Sequence, residues 1–175
     1  MYESAQKKRI LVVEDEPMIR QVLCILLKHR NFDVLGVSSG QEAMLDFDVL
    51  GVSSGQEAML AIPEFNPHLI ILDLLMHPIS GWDVLHWLRT NHLTPHIPVL
   101  VASALVQQTE QMHGFEEGAI EYVPKPTQPS IIVERVQALL SMNAKQRSML
   151  HRRRIDEQRK TLARLSAAQS DEFVY

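Results

Sequence analysis

The chain has 175 residues, 46% of them hydrophobic and 22% charged, with a net charge of −4 and a single cysteine. That is enough for one domain with a real core plus a tail; it excludes an internal disulfide, and no apolar run nears the roughly 18 residues that cross a bilayer. Residues 1–144 hold 9 basic and 17 acidic side chains while residues 145–175 hold 8 and 4, which predicts an acidic domain followed by a basic tail.

Residues 8–13 (KRILVV) are a β-branched apolar run that stops at Glu14-Asp15-Glu16-Pro17, the pattern of a strand buried on both faces, with Pro17 suited to the first turn of a helix. Ile19, Val22, Leu23, Leu26 and Leu27 recur at helical spacing up to Arg30. Cys24 lies among their apolar neighbours, so a buried, inert thiol in a reducing, cytoplasmic compartment is expected, and the first nine residues lack the apolar stretch of a signal peptide. Residues 32–37 are strand-like, and SSGQEAML then opens a helix with hydroxyl caps. Residues 69–72 (LIIL) form a second continuous apolar run ending at Asp73. An amphipathic helix follows over 81–90, then a third run over 97–102 ending at Ser103. A polar helix over 106–117 is stopped by Gly118, a short strand over 120–124 precedes Lys125-Pro126, and a helix spans 130–142.

Strands that are apolar throughout, alternating with helices, predict a parallel sheet covered on both faces. In such sheets functional groups gather at the carboxyl ends of the strands. Glu14-Asp15, Asp73, Ser103 and Lys125 all fall there. Three acids at one edge would repel unless a cation joined them, and a hard divalent ion with oxygen ligands, Mg²⁺ above all, fits. A carboxylate beside such an ion can act as a nucleophile towards phosphorus.

VVEDEP, LIILDLLM, GWDVLHWLR, PVLVASA and EYVPKP, in this order and spacing, resemble the receiver domain of bacterial two-component response regulators, the CheY-like family, over about residues 8–142. The resemblance implies a doubly wound five-stranded parallel sheet of flavodoxin-like order 2-1-3-4-5, with a C-terminal helical extension. It implies Asp73 as phosphoacceptor, and Glu14, Asp15, Asp73 and the backbone carbonyl of Leu75 as holders of Mg²⁺. It implies Ser103 and Lys125 as partners of the phosphoryl group, Tyr122 as an aromatic switch that follows Ser103, and a cis bond before Pro126. The function implied is a phosphorylation-dependent signalling switch, fed by a sensor histidine kinase or a histidine phosphotransfer protein, rather than a classical enzyme. The family pattern has proline directly after methionine; here Met76 is followed by His77 and then Pro78, with Gly81 still in place.

Two other readings compete. One is a receiver-like interaction module whose chemistry is idle. The other is a phosphohydrolase of the haloacid-dehalogenase type, which usually carries a second aspartate two residues after the first, where this chain has Leu75. The eight histidines show no ligand spacing with cysteine and no HExxH, so no histidine metal site is expected.

Residues 143–169 lack glycine and proline, so the tail over 143–175 is expected to prolong the last helix of the 1–142 domain towards an output domain. Ile155, Leu162 and Leu165 sit at coiled-coil spacing, but Ser148, His151 and Gln158 share their seam, leaving a solvated connector and a homodimer through the last receiver helices both open. Arg152-Arg153-Arg154 is basic, but a lone helix has no fold to seat it in a groove, and no DNA binding is expected from this chain alone.

Residues 32–45 and 47–60 are the same fourteen letters, separated by Asp46. One copy supplies the strand and helix that the fold needs. Copy two runs on into Ala61-Ile62-Pro63-Glu64-Phe65, whereas copy one would have to continue its helix into Asp46-Phe47-Asp48. Copy two is therefore expected in the fold, with copy one an excursion that reflects a recent or engineered duplication.

Overall fold

The computed structural model describes residues 8–28 and 47–171. Three strands at the centre of the sheet, β1 (Lys8–Val13), β3 (Leu69–Leu72) and β4 (Val99–Ser103), come from the continuous apolar runs. The edge strands are β2 (Phe47–Val52) and β5 (Glu121–Pro124), and all pairings are parallel in the order β2-β1-β3-β4-β5. Alternate side chains of a strand point to opposite faces, and two core layers follow. Leu11, Val13, Ile70, Leu72, Val99 and Val101 face one side, with Ala58, Ile62, Val84, Leu85, Leu88 and Phe115 packed on them from α2 (Gly55–Phe65), α3 (Gly81–Thr90) and α4 (Gln108–Glu116). Ile10, Val12, Leu69, Ile71, Leu100 and Ala102 face the other, covered by Leu23 and Leu27 of α1 (Pro17–Lys28) and by Ile132, Val133, Val136 and Leu139 of α5 (Pro129–Ser141). No helix among the described residues is long and apolar enough to cross a membrane.

Copy two of the repeat forms β2 and opens α2; copy one lies outside the described residues. The helix starts on a satisfied cap, with Ser54 accepting from the Glu57 N–H and the Glu57 carboxylate accepting from the Ser53 N–H and hydroxyl. It closes at Asn66, left-handed at φ 47°. Gly51 lets β2 approach α1 closely, since a Cβ there would stand 2.8 Å from Cys24 Sγ. Cys24 is partly buried, and that burial pushes its thiol up.

The tail departs from expectation. Met142 is extended at φ −80°, ψ 140°, and ends α5. Asn143 then starts a separate helix, α6 (Ala144–Asp171): its side chain accepts from the Gln146 N–H while Gln146 accepts from the Asn143 N–H. The reciprocal cap supplies partners for backbone groups that a continuous helix would have used differently. Nor is α6 a solvated connector over its first half. Leu150 packs against the α1–α5 layer and Ile155 against the opposite one, so α6 runs past edge strand β5 and lies along α4. Of the seam residues, His151, Ile155 and Gln158 form a contact stripe with the chain's own body as their partner, while Ser148 is exposed: His151 Nε2 lies 2.7 Å from Phe115 O, Gln158 donates to Gln111 at 2.9 Å, and Ile155 packs on the core.

Candidate functional site

The carboxyl edge of the sheet brings together the residues singled out in the sequence. Glu14 follows β1 and Asp73 follows β3; both are fixed through their backbones, Glu14 N–H donating to Val52 O at 3.1 Å and Asp73 N–H to Val13 O at 2.9 Å. Lys125 follows β5 and its N–H donates to Ser103 O at 2.8 Å. Glu14, Asp73 and Ser103 are buried, while Asp15 and Leu75 are exposed.

The Lys125 ammonium donates to Glu14 at 2.6 Å and to Asp73 Oδ2 at 2.8 Å. Asp73 Oδ1 accepts from the Leu75 N–H at 3.0 Å. Burial works to pull the lysine down, but its bonds to Asp73 and Glu14 outweigh this and hold it above the ordinary lysine value. Burial pushes the Glu14 carboxyl up, with Lys125 opposing. One carboxylate oxygen from each of Glu14, Asp15 and Asp73 lies within 4.8 Å of the others. A compact, all-oxygen acidic set of this kind suits a hard divalent cation, so the donors fit Mg²⁺.

Gly81 makes the edge possible. A Cβ at this position would stand 2.0 Å from the Asp73 carbonyl oxygen, so only glycine lets α3 begin against the Asp73 loop. That helix is held by a capping box between Ser80 and Asp83. Both Lys125-Pro126 and His77-Pro78 are cis; Met76 is buried beneath the loop and His77 is exposed.

Ser103 and Tyr122 occupy the flank of the site. Ser103 Oγ accepts weakly from the Leu105 N–H at 3.4 Å, and Tyr122 donates its hydroxyl to Leu105 O at 2.7 Å. Burial pushes the Tyr122 phenol up to about 12, with the Ser103 hydroxyl opposing. Arg20 was not read from the sequence as a site residue. Its guanidinium donates to the carbonyls of Glu14 at 2.7 Å and Asp15 at 3.2 Å, anchoring the loop that presents both acids. An arginine one turn into the helix after an acidic loop was the only signal.

The model of the response regulator receiver domain matches residues 44–137, more than half of the chain. The chain is 33% identical over 137 residues to the DNA-binding response regulator MtrA of Mycolicibacterium smegmatis, covering 78% of this chain and 52% of the relative. It is 33% identical over 132 residues to the DNA-binding dual master transcriptional regulator RpaA of Synechocystis, covering 75% and 48%. Among solved structures, a DNA-binding response regulator of the LuxR family from Staphylococcus aureus superposes with a TM-score of 0.62 at 26% identity, over 77% of this chain and 99% of that one. The Francisella response regulator 1452 receiver domain shares the fold at a TM-score of 0.64 and 23% identity, over 77% and 97%. The chain spans about half the length of these curated relatives.

Proposed function

The chain belongs to the response regulator receiver family, and from that premise we propose that it is a phosphorylation-dependent switch whose acceptor is Asp73. The donor would be a phosphohistidine on a sensor kinase or a histidine phosphotransfer protein. The observation that carries this reading is the Lys125 ammonium bridging two buried carboxylates, Glu14 and Asp73, beside the exposed Asp15.

An Asp73 carboxylate oxygen forms the new O–P bond as the donor's N–P bond breaks, and the electron pair stays on the imidazole nitrogen, which then takes a proton from solvent. Lys125 holds one oxygen of the arriving group, and the Ser103 hydroxyl turns to donate to another. The Leu75 N–H orients the Asp73 carboxylate from its other oxygen. Glu14, Asp15, Asp73 and the Leu75 carbonyl would hold Mg²⁺, which when bound offsets the negative charge on the transferring oxygens. Tyr122 reports the position of Ser103 through Leu105. Loss of the phosphoryl group by hydrolysis at the same site would reset the switch. DNA binding is assigned to none of residues 8–171.

The test is incubation with Mg²⁺ and acetyl phosphate, read by intact mass. We expect a gain of one phosphoryl group in the wild type and none in Asp73→Asn. No gain in the wild type would leave an interaction module with idle chemistry, and steady turnover of an organic phosphate would make the chain an enzyme.

A further inference from the structure

A cleft of about 460 Å³ lies at the end of the sheet opposite the carboxylates. Its walls come from the segment before β4, the turn before β5 and the first two turns of α6. The first wall is fixed by its own backbone, Leu93 N–H donating to Leu88 O and Ile97 N–H to Leu93 O, both at 2.9 Å. The turn needs Gly118: its φ is +107°, and a Cβ there would crowd the cleft, 2.9 Å from Thr94 Cγ2. A concave site of this size, formed before any ligand arrives, is the usual shape of a small-molecule site. Its α6 wall lies beyond residues 44–137, those matched by the receiver family.

The polar lining can donate throughout. Thr94 and Ser148 bring hydroxyls, Arg147 a guanidinium, and His96 and His151 imidazoles, with no acidic side chain among them. This departs from the body of the chain, where residues 1–144 hold 17 acids against 9 bases. Glu117, adjacent to Gly118, is occupied by Arg89 and His86. Of the five N–H groups of the Arg147 guanidinium, one donates to Met142 O at 2.8 Å, and the others have no partner among the described residues. His151 spends Nε2 on Phe115 O, which leaves Nδ1. The rest of the lining is apolar, chiefly Pro95 with the buried Pro98 and Ile120.

We propose that this cleft binds a small phosphate monoester, its phosphate meeting Arg147, His151 and the two hydroxyls while its organic part lies on Pro98 and Ile120. The donors outnumber what the two oxygens of a carboxylate take, and the three terminal oxygens of a phosphate use them. A guanidinium suits that group because it can meet it with two parallel bonds. The apolar wall favours an ester over the bare ion. The site is independent of Asp73. Because the phosphate contacts lie on α6 and the apolar wall on the body, a bound ester holds the two together.

The experiment titrates the ¹⁵N-labelled full chain with phenyl phosphate and follows the amide shifts, without Mg²⁺ so that the acidic edge carries no cation. Saturable shifts are expected at Gly118, Ile120 and Ser148, with Asp15 and Leu75 unmoved. Inorganic phosphate lacks the apolar body and benzoate lacks the third oxygen, so each should bind about tenfold more weakly. Arg147→Met keeps the apolar stem and should weaken phenyl phosphate about tenfold or more. Ser148→Glu, at an exposed helical position, should abolish binding by placing a carboxylate in the cleft. No saturable shift at these amides, or unchanged affinity in either folded variant, overturns the site. Inorganic phosphate or benzoate binding as tightly as phenyl phosphate overturns the assignment to an ester.

Discussion

The carboxylate edge and the α6 seam are both polar contacts between distant parts of the chain, yet they are built differently. At the edge, both buried acids are met by Lys125 at 2.6 and 2.8 Å, and Asp73 has a further donor in the Leu75 N–H. At the seam, one good ion pair, Arg154 to Glu121 at 2.7 Å, sits beside two buried polar atoms, Arg154 Nε and Gln158 Oε1, that have no hydrogen-bond partner among the described residues. A contact whose groups are all satisfied is expensive to break. One with unmet groups is close to balance, and a small change elsewhere can decide it. The edge is a fixed instrument, and the seam has the character of a movable part.

The sharpest way to break this comparison is Lys125→Ala. Removing one partner of a buried ion pair costs about 3–5 kcal/mol; because this pocket opens to solvent at Asp15, a loss of about 2–3 kcal/mol is expected, with the fold intact. Chemical denaturation would measure it, and Mg²⁺ should restore part of the loss in the variant. The same variant, once modified, should show no conformational response, because the ammonium that holds the phosphoryl oxygens is gone. A chain that loses nothing on this substitution would put the edge on a level with the seam.

Deleting residues 32–46 is the control, since it removes none of the residues that make the Lys125 contacts or the contacts between α4 and α6. It joins the end of α1 to β2 through His29-Arg30-Asn31, a loop of ordinary length. Shortening the closed loop should raise stability by about 1 kcal/mol or less, with modification of Asp73 retained. An unfolded or inactive deletion would make copy one part of the working structure.

Glu117 tests α4 from the side away from α6. Its carboxylate accepts from Arg89 at 2.9 Å and contacts His86 at 3.2 Å. Burial raises its pKa, but those two bonds outweigh it and hold the group below its ordinary value. A depressed folded pKa means stability that is present above the unfolded value, about 4.3, and is lost as pH falls through the folded one. The wild type should therefore exceed Glu117→Gln by less than 1 kcal/mol at neutral pH, Arg89 being half exposed. That gap should close in acid titrations of thermal stability and not reopen. The smallest effect belongs to the seam: Gln158→Leu discards one hydrogen bond together with one unmet acceptor and should change stability by no more than about 0.5 kcal/mol in the same assay. A large loss there would show the seam to be as tightly specified as the edge.

What the letters revealed divides along the same line. The placement of Glu14, Asp15, Asp73, Ser103 and Lys125 at one edge was legible because each stands at the end of a strand or just beyond it, and the strands of a parallel sheet deliver these residues to the same edge. The choice of copy two was legible from Ala61 to Phe65, which complete α2 in the structure. The capping letters could not decide it, since Ser39 and Glu42 repeat Ser54 and Glu57. The break before α6 was written in Asn143 and Gln146, but without a glycine or proline the helical composition hid it. The docking of α6 was illegible for a physical reason. Its half-buried stripe mixes His151, Arg154, Ile155 and Gln158, and periodicity finds a face only when that face is apolar. Arg20 was missed because it binds backbone carbonyls, which carry no letter.

If Asp73 itself forms the acyl phosphate, that bond can be trapped. After reaction with acetyl phosphate and Mg²⁺, borohydride reduces an aspartyl phosphate to homoserine, which peptide mass spectrometry locates. Homoserine is expected at position 73 and nowhere else, and not at all when Mg²⁺ is withheld. Homoserine at position 15, or a phosphorylated chain with residue 73 unreduced, would contradict it.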